Sequence, residues 1–349
     1  MQLVNSSKIP ILNLYYLLCY AWNRLDEKEI VSAQPLEMQH MVDLLGNVLV
    51  NGVSYLLRKG LDRGYLPISE ETGTIRGRIN FQTTLRKNML KQPKLICEYD
   101  ELSYNVIHNR ILKTTLRSLI LCKDVDRNIR DKMTFLYRRM KDIETIELSG
   151  QCFKRVQIHR NNHFYGFLMN ICELVYNNLL VSETTGKSRF QDFLRDERQM
   201  SVLFEEFVRN FYRKEQSLFA VKREVIHWNL LPLNEASAAV LPVMRTDISL
   251  MGSGRKIIID TKYYQEAMDI HYDKMKIRSA NLYQLHAYLM NLDVKGAENT
   301  HCEGILLYPT TTYEMDYIYT MGKHRILIKT INLNQDWRKI HEDLIKVID

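Results

Sequence analysis

Apolar side chains recur along this chain with two periods, and the switches between them mark out its elements. In residues 35–59, Met38, Met41, Val42, Leu45, Val48 and Leu49 return every three or four positions, the spacing of one helix face. The same reading predicts helices at about 11–24, 104–123, 126–145, 166–180, 198–214, 275–291 and 335–347. Glycines and alternating β-branched residues over 60–81 predict a strand, an extended turn and a second strand, with a short strand near 95–99. Further strands are expected at about 219–230, 239–250, 256–264, 303–309 and 324–332. The polar stretch 147–166, with Gly150, His159, Asn161 and Asn162, is where a domain boundary is expected. The fold class is therefore α/β. An α+β N-terminal domain (1–155, with an extended finger at about 60–82) precedes a domain at 156–349 whose mixed central sheet is flanked by helices.

Composition narrows the class. The chain has 349 residues, enough for two domains with their own cores, and its 46% hydrophobic and 26% charged residues are ordinary for a globular protein. A net charge of +7 suits a polyanionic partner, because cationic side chains on phosphates release counterions. Six scattered cysteines (Cys19, Cys97, Cys122, Cys152, Cys172 and Cys302) contain no CxxC pair, which argues against a structural zinc site and a disulfide framework. The apolar run at 9–22 is too short to span a bilayer and lacks a signal-peptide pattern, so it is expected to be a buried helix of a cytoplasmic protein with no membrane partner.

The candidate chemistry lies at 243–264. Two apolar strand-like runs flank Gly252, Ser253 and Gly254, a hairpin signal. With Ser253 and Gly254 as the loop, cross-strand pairs sum to 507 and Asp247 faces Asp260. Like charges so placed repel, and a divalent cation between them would reverse the sign. Asp260 and Lys262 share a strand face, while Thr261 points away and leaves its carbonyl for a metal. The apolar run Ile257, Ile258 and Ile259 predicts a strand buried on both faces. Two carboxylates and a carbonyl make a hard, oxygen-only site suited to Mg²⁺. Mg²⁺ there would activate water against a phosphodiester, and Lys262 would orient that water or stabilise developing negative charge.

Flanking helices add candidates. On the amphipathic run 203–211, Glu205 and Glu206 border the core face on opposite sides; either is placed to reach the metal, and the helical wheel does not choose. Gln284 and Tyr288, at i and i+4, share a face and would contact phosphate or brace the site. Lys274, Lys276 and Arg278 precede them as candidate phosphate contacts. The run SETTGKS at 182–188 ends like a phosphate-binding loop, but position 181 is Val rather than the first glycine and no strand is expected to lead into it. No nucleotide site is expected in this chain.

A helix glutamate, a hairpin aspartate, Asp-x-Lys and a Gln-x-x-x-Tyr helix together resemble the PD-(D/E)XK nuclease core, close to its RecB-like branch. The wider layout resembles the McrC family, the nuclease subunits of McrBC modified-cytosine restriction systems. The matching runs are FEEFV at 204–208, RTDI at 245–248, IDTKYY at 259–264 and the Gly-x-Ile-x-Gly-x-Ile-Asn-Phe pattern at 73–81. DELS at 100–103 and NRIL at 109–112 also match, so the resemblance covers nearly the whole chain. Thr246 stands where that superfamily often has proline before its first catalytic aspartate. The resemblance implies a DNA endonuclease whose AAA+ GTPase partner, McrB, binds GTP and recognises DNA containing modified cytosine. It also implies that the extended element near 66–81 enters the partner's ring, with Arg76, Arg78 and Asn80 acting on the GTPase site. The rival readings are a self-sufficient RecB-like nuclease and a non-catalytic adaptor of a DNA motor.

Overall fold

The computed structural model describes residues 9–23, 40–86, 94–181, 188–190, 196–230, 240–252, 254–264, 269–271, 274–292, 302–311 and 314–349. They fall into two compact units, one within Met38–Gln191 and the other comprising Asp192–Asp349 with the segment Met1–Glu29. Helix α1 (Ile11–Ala21) therefore belongs to the second unit.

In the unit at 38–191, α2 (Met41–Lys59) buries Val42, Leu45, Val48 and Leu49, as its helical spacing requires. Strand β1 (Gly64–Thr72) alternates half-buried and exposed residues without a break. Strand β2 (Arg78–Ile79), helix α3 (Phe81–Arg86) and strand β3 (Leu95–Ser103) complete a three-stranded antiparallel sheet of order β1-β3-β2. Gly77 turns the chain into β2 at φ 63°, and a Cβ there would stand 2.4 Å from the Glu98 carbonyl oxygen, so the turn needs glycine. Helices α4 (Ile107–Leu121), α5 (Arg127–Arg139), α6 (Gly150–Lys154) and α7 (His163–Asn178) follow. The unit closes with β4 (Leu179–Val181) and β5 (Ser188–Phe190).

Two expectations are corrected here. The boundary expected near residue 155 falls instead at Gln191/Asp192. The polar run 147–166 is an internal connection: Asn162 donates to Asp62 Oδ2 at 3.1 Å, and α7 buries Phe167, Leu168, Ile171 and Cys172 beside α2 and α4. A strand also does lead into the phosphate-loop look-alike, since β4 precedes it. The chain then returns antiparallel, with Val181 paired to Ser188, rather than entering the helix a phosphate loop needs. Residues 182–187 lie outside the described residues.

In the second unit, α8 (Glu197–Glu215) precedes β6 (Ala220–Lys222), β7 (Val225–Ile226), β8 (Met244–Arg245), β9 (Ile248–Gly252) and β10 (Arg255–Thr261). Then come β11 (Asp269–His271), β12 (Lys274–Lys276), α9 (Ser279–Leu292), β13 (Cys302–Thr310), β14 (Asp316–Met321), β15 (His324–Asn332) and α10 (Trp337–Ile348). The main sheet has six strands in the order β14-β15-β13-β10-β9-β6. It is mixed: β10/β13 and β13/β15 are parallel, the other pairs antiparallel. Helix α9 lies on β13, where a Cβ on Gly304 would meet Leu285 at 3.0 Å. Helix α1 packs along α8, with Tyr20 against Phe207 and Phe211, and Tyr16 stacks on Trp337 of α10. Its Asn13 donates to the carbonyls of Leu333 and Gln335, both at 2.8 Å, which fixes it to this unit.

Three expected elements differ in extent. The strands expected at 219–230 and 239–250 each break in two, because the Thr246 hydroxyl takes the Glu224 N–H (2.9 Å) in place of a ladder carbonyl. The helix expected from 275 begins at Ser279, after the β11/β12 hairpin. Strand β14, an exposed edge strand without alternation, is absent from the sequence reading. Among the described residues no helix is long and apolar enough to cross a membrane.

Candidate active site

Strand β10 sets the site. Ile257, Ile258 and Ile259 are fully buried, so the strand runs through the sheet's centre between β9 and β13. The hairpin has the expected register: Arg255 faces Gly252 and Ile259 faces Ile248, every pair summing to 507. The ladder ends one step before Asp247 and Asp260. Gly254 makes the turn at φ 73°.

Asp260 is 0% exposed. Its Oδ2 is paired with Lys262 Nζ at 2.8 Å, while its Oδ1 has no hydrogen-bond partner among the described residues. Burial and then the Asp247 charge raise its pKa to about 7, against the opposing pull of Lys262. Desolvation works against the Lys262 charge, but the Asp260 carboxylate outweighs it and the net shift is upward. Asp247 reaches across the hairpin end: its Oδ2 accepts from the Thr261 N–H (2.8 Å) and the Thr261 hydroxyl (3.0 Å). Thr261 is thus not a bystander turned away; it fastens the first aspartate beside the second.

Lys262 is held from behind. Its Nζ donates to Gln284 Oε1 (3.0 Å), Gln284 Nε2 donates to the Tyr288 hydroxyl (2.6 Å), and that hydroxyl donates to the Arg245 carbonyl (2.8 Å). Burial raises the Tyr288 pKa to about 12, so the phenol keeps its proton. Of the two roles expected for Gln284 and Tyr288, the geometry gives bracing.

A cleft of about 330 Å³ opens beside Asp247, with Glu205, Arg223, Glu224, Arg245 and Thr246 in its wall. Glu205 therefore faces the aspartates, and its charge acts on Asp260; Glu206 is not in that wall. Buried Arg209, one turn along α8, pairs with both glutamates, and Arg223 bonds Glu205 from β6's end. Lys256, buried on the same face of β10 as Asp260, pairs with Glu224 at 2.8 Å. Sequence reasoning missed Arg209, Arg223, Glu224 and Lys256. The one available signal was Arg209 at i+4 from Glu205 and i+3 from Glu206.

Among the described residues no three His, Cys, Asp or Glu side chains converge into a ready-made metal cage. The donor set that remains is Asp247, Asp260 and backbone oxygen. The orphaned Asp260 Oδ1 is the observation that fits a cation, since a buried carboxylate oxygen without a partner is costly.

The other expected residues lie elsewhere. Lys274 and Lys276 lie on β12, and their side chains are outside the described residues. Arg278 stacks over the Tyr264 ring at 3.9 Å. In the first unit Arg76 and Arg78 are exposed on the finger. Asn80 is committed to structure: its Oδ1 accepts from Thr83 N (3.0 Å) at the start of α3, and its amide donates to Glu98.

Comparison with known proteins places the chain in a family. Residues 11–309 match the model of the McrBC 5-methylcytosine restriction system component family. The chain is 34% identical over 341 residues, 98% of its length and 97% of the relative's, to the type IV methyl-directed restriction enzyme EcoKMcrBC of Escherichia coli K12. Its fold is similar to a solved half-complex from a tetradecameric assembly of Thermococcus gammatolerans McrB AAA+ hexamers with bound McrC. The TM-score is 0.60 at 16% identity, covering 97% of this chain and 76% of that one. The chain belongs to the McrBC 5-methylcytosine restriction system component family.

Proposed function

We propose that this chain is the Mg²⁺-dependent endonuclease subunit of a McrBC-type restriction complex. In this reading it cuts DNA carrying modified cytosine when assembled with an AAA+ GTPase partner that binds the GTP. One observation carries the nuclease reading: a fully buried aspartate, Asp260, orphaned at one oxygen, beside Asp247 and a braced lysine.

Asp247 and Asp260 would hold the cation, with the Thr261 carbonyl as an oxygen donor and Glu205 at the cleft wall. When bound, Mg²⁺ supplies Lewis-acid neutralisation of the phosphodiester and a more acidic water. The chain's own part is positional. Lys262 keeps its proton and points its ammonium from the Asp260 side, fixed by Gln284, Tyr288 and the Arg245 carbonyl. A charge held this rigidly stabilises the phosphorane-like transition state without reorganising during the reaction.

The partner reading is supported by the family, by 34% identity with EcoKMcrBC over nearly the full length of both chains, and by the likeness in fold to the Thermococcus structure, in which McrC is bound to McrB AAA+ hexamers. Arg76 and Arg78, exposed on the finger, are the candidates for stimulating GTP hydrolysis. Asn80 supports them by capping α3.

The test is DNA cleavage by the purified chain with and without the GTPase and GTP, comparing wild type with Asp260→Ala. Cleavage only in the complete mixture, lost in the variant while partner binding persists, is expected. Cutting by the chain alone would favour a self-sufficient nuclease, and cutting by Asp260→Ala would remove the site.

A further inference from the structure

Two arginine side chains in the cleft wall have no role in holding a metal or bracing Lys262. Arg245, immediately before the Thr246-Asp247 pair, is exposed, and its side chain has no ion-pair partner among the described residues. Only its carbonyl is used, by Tyr288. Arg223 is half-exposed and bonds Glu205, with Glu206 Oε1 at 3.6 Å.

Resting on the metal-nuclease reading, we propose that Arg245 and Arg223 form a clamp for the DNA phosphate, and that Arg223 joins it only when a divalent cation occupies the aspartates. The charge balance supports the second half. With every group ionised, Glu205, Glu206, Glu224, Asp247 and Asp260 stand against Arg209, Arg223, Arg245, Lys256 and Lys262, and the balance is zero. A divalent cation at the aspartates leaves two positive charges in excess, and the two solvent-facing arginines, Arg245 and Arg223, are then the surplus cations. Arg209 is nearly fully buried and stays with the glutamates. Arg223, in the cleft wall with half its side chain in solvent, can turn from Glu205 to a phosphate. A guanidinium is the appropriate group, since its planar fork matches two phosphate oxygens. Arg245, at the end of β8, and Arg223, in the link between β6 and β7, are held together by the Thr246–Glu224 exchange: Thr246 N–H donates to the Glu224 carbonyl (3.0 Å), and Glu224 N–H to the Thr246 hydroxyl. Threonine at position 246, where proline would offer neither group, thereby sets the spacing of the clamp.

The test is the salt dependence of binding to a short duplex by fluorescence anisotropy, using the full chain alone or, where binding needs it, assembled with its AAA+ GTPase. Ca²⁺ replaces Mg²⁺ in one series, and EDTA is present in the other. Removing a side chain that neutralises one phosphate should lower the slope of log K against log salt by about 0.9. Arg245→Ala should show that drop in both series and weaken binding roughly tenfold. Arg223→Ala and Arg223→Gln should show it with Ca²⁺ and retain the wild-type slope in EDTA. Arg338→Ala, which removes an exposed arginine of α10, should match wild type throughout. Wild-type slopes in the Arg245 and Arg223 variants, with wild-type cleavage intact, would overturn the clamp alone. An Arg223 effect equal in both series would overturn its cation dependence. A wild-type chain that neither binds duplex nor cuts it in either form would overturn the nuclease reading beneath it.

Discussion

The end of β10 and the finger sheet present their charged groups in opposite ways. At β10, Asp260 is fully buried, and Lys262 is tied through Gln284 and Tyr288 to a backbone carbonyl. On the finger, Arg76 and Arg78 stand exposed, and their chain neighbours Ile75 and Phe81 are largely in solvent. Burial makes a charge expensive, so a buried, incompletely satisfied carboxylate implies something that repays it. An exposed arginine costs nothing and implies nothing by itself; its role rests on what comes to meet it. The first region therefore carries an argument from one chain, and the second needs a partner.

The largest effect should come from removing the carboxylate itself. Asp260→Ala is expected to reduce cleavage by the assembled complex by about a thousandfold or more, measured under single turnover, with partner binding retained. Lys262→Ala should cost about 10²–10³ in rate while leaving the affinity for DNA nearly unchanged, and a shift in affinity alone would move Lys262 from chemistry to binding.

The raised pKa of Asp260 gives a stability prediction of opposite sign to the activity loss. Its folded pKa, about 7, lies above its unfolded value. Between the two the folded state holds the extra proton, so its contribution falls as pH rises through that window. With EDTA present, Asp260→Asn should therefore be more stable than wild type at pH 8, by on the order of 3 kcal/mol, and the difference should vanish below about pH 4. Urea midpoints across pH check this; a variant less stable than wild type at pH 8 would contradict the burial cost.

Smaller effects separate the two regions. Arg76→Ala with Arg78→Ala should lower partner-stimulated GTP turnover by roughly tenfold or more and leave the chain's melting temperature unchanged, because both side chains are exposed. Asn80→Ala should instead lower that temperature, as its cap on α3 is lost. Gln284→Ala should slow cleavage about tenfold, the loss of one bracing hydrogen bond to a charged group.

The sequence made the site more legible than the frame around it. Asp247, Asp260 and Lys262 were readable because a two-residue turn fixes hairpin register and period-two geometry fixes faces. Glu205 could not be separated from Glu206 on a helical wheel; the choice depends on which side of α8 the hairpin packs, a tertiary fact. Arg223 and Lys256 were invisible because each is paired with an acid far along the chain. The domain boundary was misplaced for a similar reason. A polar stretch looks like a linker, whereas the assignment of α1 and α7 depends on which unit buries their apolar faces. Strand β14 lacks the alternation that marks strands because it is exposed along most of its length.

The most direct measurement is calorimetric titration of Mg²⁺ into the full chain, comparing wild type with Asp247→Ala and Asp260→Ala. Saturable binding in wild type that both variants lose is the predicted result. Equal heats from all three proteins would mean that the buried aspartate is repaid by something other than a cation, and would contradict the account.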